Sequence, residues 1–264
     1  MSLDYIDIHS HLNLSPLFEN REVILEKMKT MNIGTITVGI DLETSEKAIA
    51  IAEENPEHCW AIVGIHPTNI NEVIISEEYW NGIQKLAHHK KVVAIGETGL
   101  DYFRDQSEII KQKQKEVFKK HITLAVEIGK PLMLHVRASR GTDDAYYDAL
   151  TILQEMNYGG KADFHFFSGS VKCMQDIMNA GYMVSVDGPI TFVNEYDEMI
   201  RQCPIEKLMV ETVAPYAAPA PYRGKTCEPW MVGEVAQKVA EIKNISIREL
   251  QKKMMQNTKD FFSI

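Results

Sequence analysis

Residues 4–12 read DYIDIHSHL. The run of Tyr5, Ile6 and Ile8 suits an extended strand, and His9 and His11 stand two apart at its end. Residues at that spacing on an extended chain point to one side, so both imidazoles can reach a single ion. An HxH pair alone is weak, because hydrogen-bonded histidines are common. Its weight depends on what stands at equivalent places further along.

Working outward, seven more short apolar or β-branched runs follow: 34–40 (GTITVGI), 60–65 (WAIVGI), 92–97 (VVAIGE), 131–136 (PLMLHV), 162–167 (ADFHFF), 182–187 (YMVSVD) and 207–212 (KLMVET). Amphipathic stretches with apolar residues at helical spacing lie between them, among them 21–31, 46–54, 108–128 and 143–156. Eight strands alternating with helices make an α/β fold, the (β/α)8 TIM barrel, whose active site forms at the carboxyl ends of the strands. An open doubly wound sheet is the competing topology, but no GxGxxG follows the first strand. Residues 214–229, rich in proline and small side chains, read as a long loop before a final helical pair at 230–243 and 246–262. The expectation is a single domain over residues 1–264.

Composition sets limits on partners. With 45% hydrophobic and 25% charged residues, the 264-residue chain can bury a substantial core. A net charge of −9 argues against an extensive basic surface for nucleic acid, though not against a local positive pocket. Cys59, Cys173, Cys203 and Cys227 form no CxxC pair, which points to free thiols in a reducing compartment. With no secretory signal pattern and no membrane-length apolar run, a cytoplasmic protein without membrane contact or obligatory protein partner is expected.

Glu97 closes the fourth run, and His135 and His165 lie late in the fifth and sixth. Each is a polar residue inside an apolar stretch, and a buried polar group needs a partner. Converging imidazoles with a carboxylate find that partner in a divalent cation. Five separately satisfied core residues would require the same coincidence five times at one rim. A bridging carboxylate would let two ions sit roughly 3.5–4 Å apart, and Glu97 is the natural bridge. A lysine at this strand end would instead suggest the carbamylated lysine of many amidohydrolases.

The segments DIHSHL, GIHP, GETGLDY, HFFSGS and ETxAPY…RGKxxEP, between Asp7 and Pro229, resemble the successive signature blocks of the TatD family of deoxyribonucleases. That resemblance implies a TIM barrel with two divalent ions, Mg²⁺, Mn²⁺ or Zn²⁺, hydrolysing phosphodiester bonds in DNA or a related substrate. By the same resemblance, His9, His11 and Glu97 match ligands of the first ion, and Glu97, His135 and His165 match those of the second. His66, in GIHP, is placed to hydrogen-bond a phosphoryl oxygen or the leaving group. Arg104, Arg137, Arg223 and Lys225 suit flanking phosphates, although surface ion pairs explain Arg104 and Arg137 equally well. Tyr102 either stacks on a base or sugar or packs the rim, while His58, His88, His89 and His121 read as solvent-facing.

One block departs from the pattern. Where the family motif is ETDAPY, this chain reads Glu211, Thr212, Val213, Ala214, Pro215, Tyr216, and valine offers neither a lone pair nor a proton acceptor. The expected aspartate would ligate the first ion and orient or deprotonate the attacking water. Glu211 faces the same side if the strand continues, but about 6.6 Å deeper by strand rise. Asp187, on the neighbouring strand, is the other candidate substitute, and Cys227 stands where asparagine is expected. The sequence therefore supports a metal-dependent phosphodiesterase attenuated by Val213. A catalytically silent binding relative and a metal-dependent amidohydrolase remain as alternatives, the latter disfavoured by Glu97 and the arginines.

Overall fold

The computed structural model describes residues 3–71 and 75–264. Eight parallel strands follow one another around a barrel: β1 (Tyr5–Ser10), β2 (Ile33–Val38), β3 (Cys59–Val63), β4 (Val92–Asp101), β5 (Leu132–Arg137), β6 (Ala162–His165), β7 (Met183–Val186) and β8 (Leu208–Val210). Residues just past β8 return to β1 and close most of the ring: the Val213 amide donates to the His9 carbonyl at 2.9 Å, and the His11 amide to the Ala214 carbonyl at 2.7 Å.

Helices α1 (Leu17–Thr30), α2 (Leu42–Glu54), α3 (Glu77–Ala87), α4 (Glu108–Ile128), α5 (Asp144–Glu155), α6 (Val171–Asn179), α7 (Asp197–Gln202), α8 (Val232–Lys243) and α9 (Ile247–Phe262) surround the barrel. Local chemistry sets several of their ends. Asp41 and Thr44 form a reciprocal capping box at the start of α2, and the Ser76, Ser170 and Ser246 side chains accept first-turn amides of α3, α6 and α9. Gly129 ends α4 at φ +68°, a conformation that glycine adopts without a Cβ penalty.

Buried aliphatics between strands and helices form the larger core cluster, while Ile6, Ile8, Ile36, Val38, Ile62, Met133 and Met209 form a second that Phe261 and Phe262 of α9 join. The four cysteines are buried free thiols. Among the described residues, no helix is long and apolar enough to cross a membrane.

Two strand ends differ from the sequence reading, and both differences bear on the site. β4 runs on to Asp101, so Glu97 lies within the strand rather than at its end. β8 stops at Val210, and Val213 sits at φ +58°, in the left-handed region. The strand alternation that would align Val213 with Glu211 is therefore lost.

Candidate metal centre

Glu97 is placed by its neighbour. Gly96 passes so close to β5 that a Cβ there would lie 2.4 Å from the Met133 carbonyl oxygen, and at φ +151° it holds a conformation unsuited to other residues. Past this tight point the Glu97 carboxylate, 3% exposed, meets five imidazoles. Its Oε2 lies 3.2 Å from His9 Nε2 and 3.7 Å from His11 Nε2. Its Oε1 lies 2.9 Å from His135 Nδ1, 2.9 Å from His165 Nε2 and 3.2 Å from His66 Nε2. His135 and His165 are register partners across β5 and β6, which sets them at one height in the barrel.

Hydrogen bonds fix which nitrogen is free. The His11 Nδ1 contacts the Val38 carbonyl at 3.0 Å; a carbonyl only accepts, so Nδ1 carries the proton and Nε2 presents its lone pair beside Glu97. His66 is the opposite case. Its Nδ1 accepts the Thr68 amide at 3.1 Å and lies 2.7 Å from the Thr68 hydroxyl, so the neutral ring carries its proton on Nε2 and offers an N–H to the site. His135 points Nε2 at Asp101 Oδ2, 3.0 Å away, leaving Nδ1 toward Glu97.

Metal binding requires neutral imidazole and ionised carboxylate; His9 and Glu97 are held in those forms, whereas the carboxylates around His135 and His165 favour the protonated rings, so an ion there would have to displace a proton. Burial, with repulsion from His165, pulls the His9 pKa down to about 4; burial, with repulsion from His135, does the same for His66. Burial raises the Glu97 carboxyl, but His66, His165 and His9 outweigh it and hold the group well below the usual range. For His165, burial is overcome by Glu97 and Glu211, which raise its pKa well above normal. Ligands about 2.0–2.1 Å from a tetrahedral ion sit roughly 3.4 Å from one another, and the spacings around Glu97 bracket that value. His9, Glu97 and His165 form one candidate ligand group, with ligand atoms all within 4.8 Å. His66, Glu97 and His135 satisfy the same distance limit, but the His66 tautomer makes that ring a donor rather than a ligand.

A cavity of about 360 Å³ opens above this cluster, lined by His11, His66, Glu97, His135 and His165, with Arg104, Arg137, Val213 and Tyr216 at its walls. Arg223 and Lys225 are exposed and do not line it: Arg223 stacks 4.3 Å from the Phe192 ring centroid, and Lys225 lies 5.9 Å from that of Tyr222. Tyr102, 1% exposed, turns its hydroxyl to Asp148 at 2.7 Å and has no face free for a base.

Neither candidate substitute for the missing aspartate reaches the cavity lining. Glu211 is fully buried behind His165, accepting from the Phe166 amide at 2.6 Å and the Ser185 hydroxyl at 2.9 Å, with His165 Nδ1 3.4 Å away. It orients His165. Asp187 is buried, and burial together with Glu211 raises its pKa well above the usual range, which disfavours the ionised form. Cys227 is buried, and its amide donates to the Pro215 carbonyl at 3.0 Å, tying the long loop to the rim.

Among the four histidines read as solvent-facing, His121 is fully buried: its Nδ1 donates to the Val117 carbonyl and its Nε2 accepts the Ile65 amide. Helical periodicity alone hid the reason, because the partner is one residue before His66 on another element. Asp101 escaped the sequence reading altogether. Its even spacing from Glu97 on one strand was the available signal, since residues 97, 99 and 101 share a face in regular extended chain.

Known proteins share this architecture and much of this sequence. The family described as TatD related DNase matches residues 6–263. An uncharacterized metal-dependent hydrolase of Bacillus subtilis, YabD, is 36% identical over 262 residues, covering 98% of both chains. YcfH of Escherichia coli K12, described in the same words, is 35% identical over 206 residues, covering 76% of this chain and 72% of that one. Among solved structures, YJJV, a TatD homolog from Escherichia coli K12, superposes with a TM-score of 0.89 at 23% identity over the full length of both chains. A TatD family hydrolase from Entamoeba histolytica gives 0.88 at 26% identity over 99% of each. With a family match along nearly its whole length and relatives above 30% identity across it, this chain belongs to the TatD-related DNase family of metal-dependent hydrolases.

Proposed function

We propose that the protein is a divalent-metal-dependent phosphodiesterase acting on DNA, slowed by Val213. The observation that carries this reading is the division of labour at Glu97, whose Oε2 faces His9 and His11 while Oε1 faces His135 and His165. That arrangement suits a carboxylate bridging two ions. Bound divalent ions supply acidification of the attacking water and neutralisation of charge on the scissile phosphate.

The chain's own residues do the rest. His66 lines the cavity with its Nε2–H beside Glu97 Oε1, 3.2 Å away, from where it can donate to a phosphoryl oxygen or the leaving group once that carboxylate is engaged by metal. Arg104 and Arg137 hold the flanking phosphates through charge-assisted hydrogen bonds. Asp101 and Glu211 fix the rings of His135 and His165 from behind. Among the described residues lining the cavity, Glu97 is the one carboxylate, so no second one is at hand to take the water's proton.

The test is hydrolysis of single-stranded DNA and of bis(4-nitrophenyl) phosphate by metal-stripped protein resupplied with Mg²⁺, Mn²⁺ or Zn²⁺. Metal-dependent cleavage that disappears in Glu97→Gln is expected, with loss of both ions from that variant by elemental analysis. Folded, metal-loaded protein that cleaves neither substrate with any metal is a silent relative. Turnover of amide substrates alone makes it an amidohydrolase.

A further inference from the structure

Resting on the phosphodiesterase reading, we propose that Phe103 and Tyr216 are stacking walls that grip the unpaired bases on either side of the scissile phosphate. Large aromatic side chains normally hide from water, yet Phe103 is 46% exposed and Tyr216 57% exposed. Both stand at the mouth of the metal-site barrel end. Phe103 follows β4 and Tyr216 follows β8, and in an eight-stranded ring those strands are diametrically opposed. A chain laid across the mouth would meet one ring on each side, with the Glu97 cluster between them.

Each aromatic is tied to the cavity. The Arg137 guanidinium stacks 3.9 Å from the Phe103 ring centroid, and Arg137 also lines the cavity, so the pair joins a flat face to a phosphate-binding charge. Tyr216 lines the same cavity and sets its ring edge-on to His11, with centroids 6.4 Å apart. Arginine beside an exposed aromatic is the combination that holds single-stranded nucleic acid without reading its sequence, because every base offers a π-face. Paired bases in a duplex have no free face to offer. Tyr102, by contrast, has spent its hydroxyl on Asp148 and lies under the surface.

The test measures binding of a fluorescent phosphorothioate oligothymidylate, which resists cleavage, in the presence of Mn²⁺, with thermal melts confirming that each variant is folded. Phe103→Ala and Tyr216→Ala should each raise Kd about 5- to 150-fold, the range for one lost base stack. Phe103→Trp should restore binding, whereas Phe103→Leu, apolar but not flat, should not. A strand with abasic residues on both sides of the scissile phosphate should bind the parent as weakly as the complete strand binds the Phe103→Ala/Tyr216→Ala double variant, and neither single substitution should weaken its binding further. Alanine variants that bind the complete strand as the parent does overturn the proposal, as does equal weakening of complete and abasic strands. A parent that binds neither strand overturns the DNA reading itself, and the stacking walls with it.

Discussion

Val213 carries two consequences at a single residue, one chemical and one conformational. A β-branched side chain at φ +58° pays for its backbone, because the left-handed region crowds Cβ against the following carbonyl, whereas Asp and Asn enter it more easily. Val213→Asn should therefore stabilise the protein by about 1 kcal/mol in chemical denaturation, with or without metal. Val213→Asp should gain the same backbone relief only when metal offsets the added charge beside Glu97, and should raise metal-dependent phosphodiesterase activity at least about tenfold. Parallel melts and rate assays of the two variants separate strain from catalysis; an aspartate variant no faster than the asparagine variant would show that this position is not a missing base. At this scale the convergence of Glu97, His135 and His165 was legible in the sequence, since each interrupts an apolar strand. It did not reveal the φ of Val213 or the burial of Tyr102, because both depend on where β8 and β4 stop, and the ends of short strands are set by neighbours distant in sequence.

The elements β3, β4 and α4 together support the site, and two measurements probe them. Gly96→Ala puts a methyl group against the Met133 carbonyl, so β4 must shift from β5 and carry Glu97 with it. A loss of about 1–3 kcal/mol is expected, as for other overpacked substitutions, with weakened metal retention. Native metal content and unchanged urea midpoint in that variant would contradict the account of how Glu97 is placed. His121 pins α4 to the end of β3 as a neutral ring, its pKa drawn from 6.5 to about 4 by burial. The unfolded chain binds its proton first, so this contribution is complete above pH 6.5 and is lost as pH falls toward 4, by about 3 kcal/mol. His121→Gln should accordingly show a shallower fall in stability across that window than the parent. Apolar runs and helical spacing made strand order and the longer helices legible, whereas a side-chain bond between α4 and β3 leaves no periodic trace.

Over the whole molecule, a net charge of −9 with two cavity arginines would confine the proposed binding of DNA to the cavity. Neutralising two phosphates of a single strand gives a slope of about −1.4 in log affinity against log salt. A much steeper slope, read from titrations at several salt concentrations, would require a basic track that the cavity lacks. The barrel's seam has a further consequence. Asp7, in β1, accepts the Thr212 amide at 2.9 Å across a separation of 205 residues, and the strand carrying His9 is closed by the Val213 amide. The first two histidines and the lip of the cavity thus come into register only when β1 meets the segment after β8 across a separation of 205 residues, a long loop closure with a high entropic cost. A cation held by His9, His11 and Glu97 would act as a clasp on that closure, favouring the folded ensemble in proportion to the logarithm of its concentration. Stripping the ion should then quicken hydrogen exchange first at the amides of Val213 and His11, turning those two positions into reporters of occupancy that need no substrate.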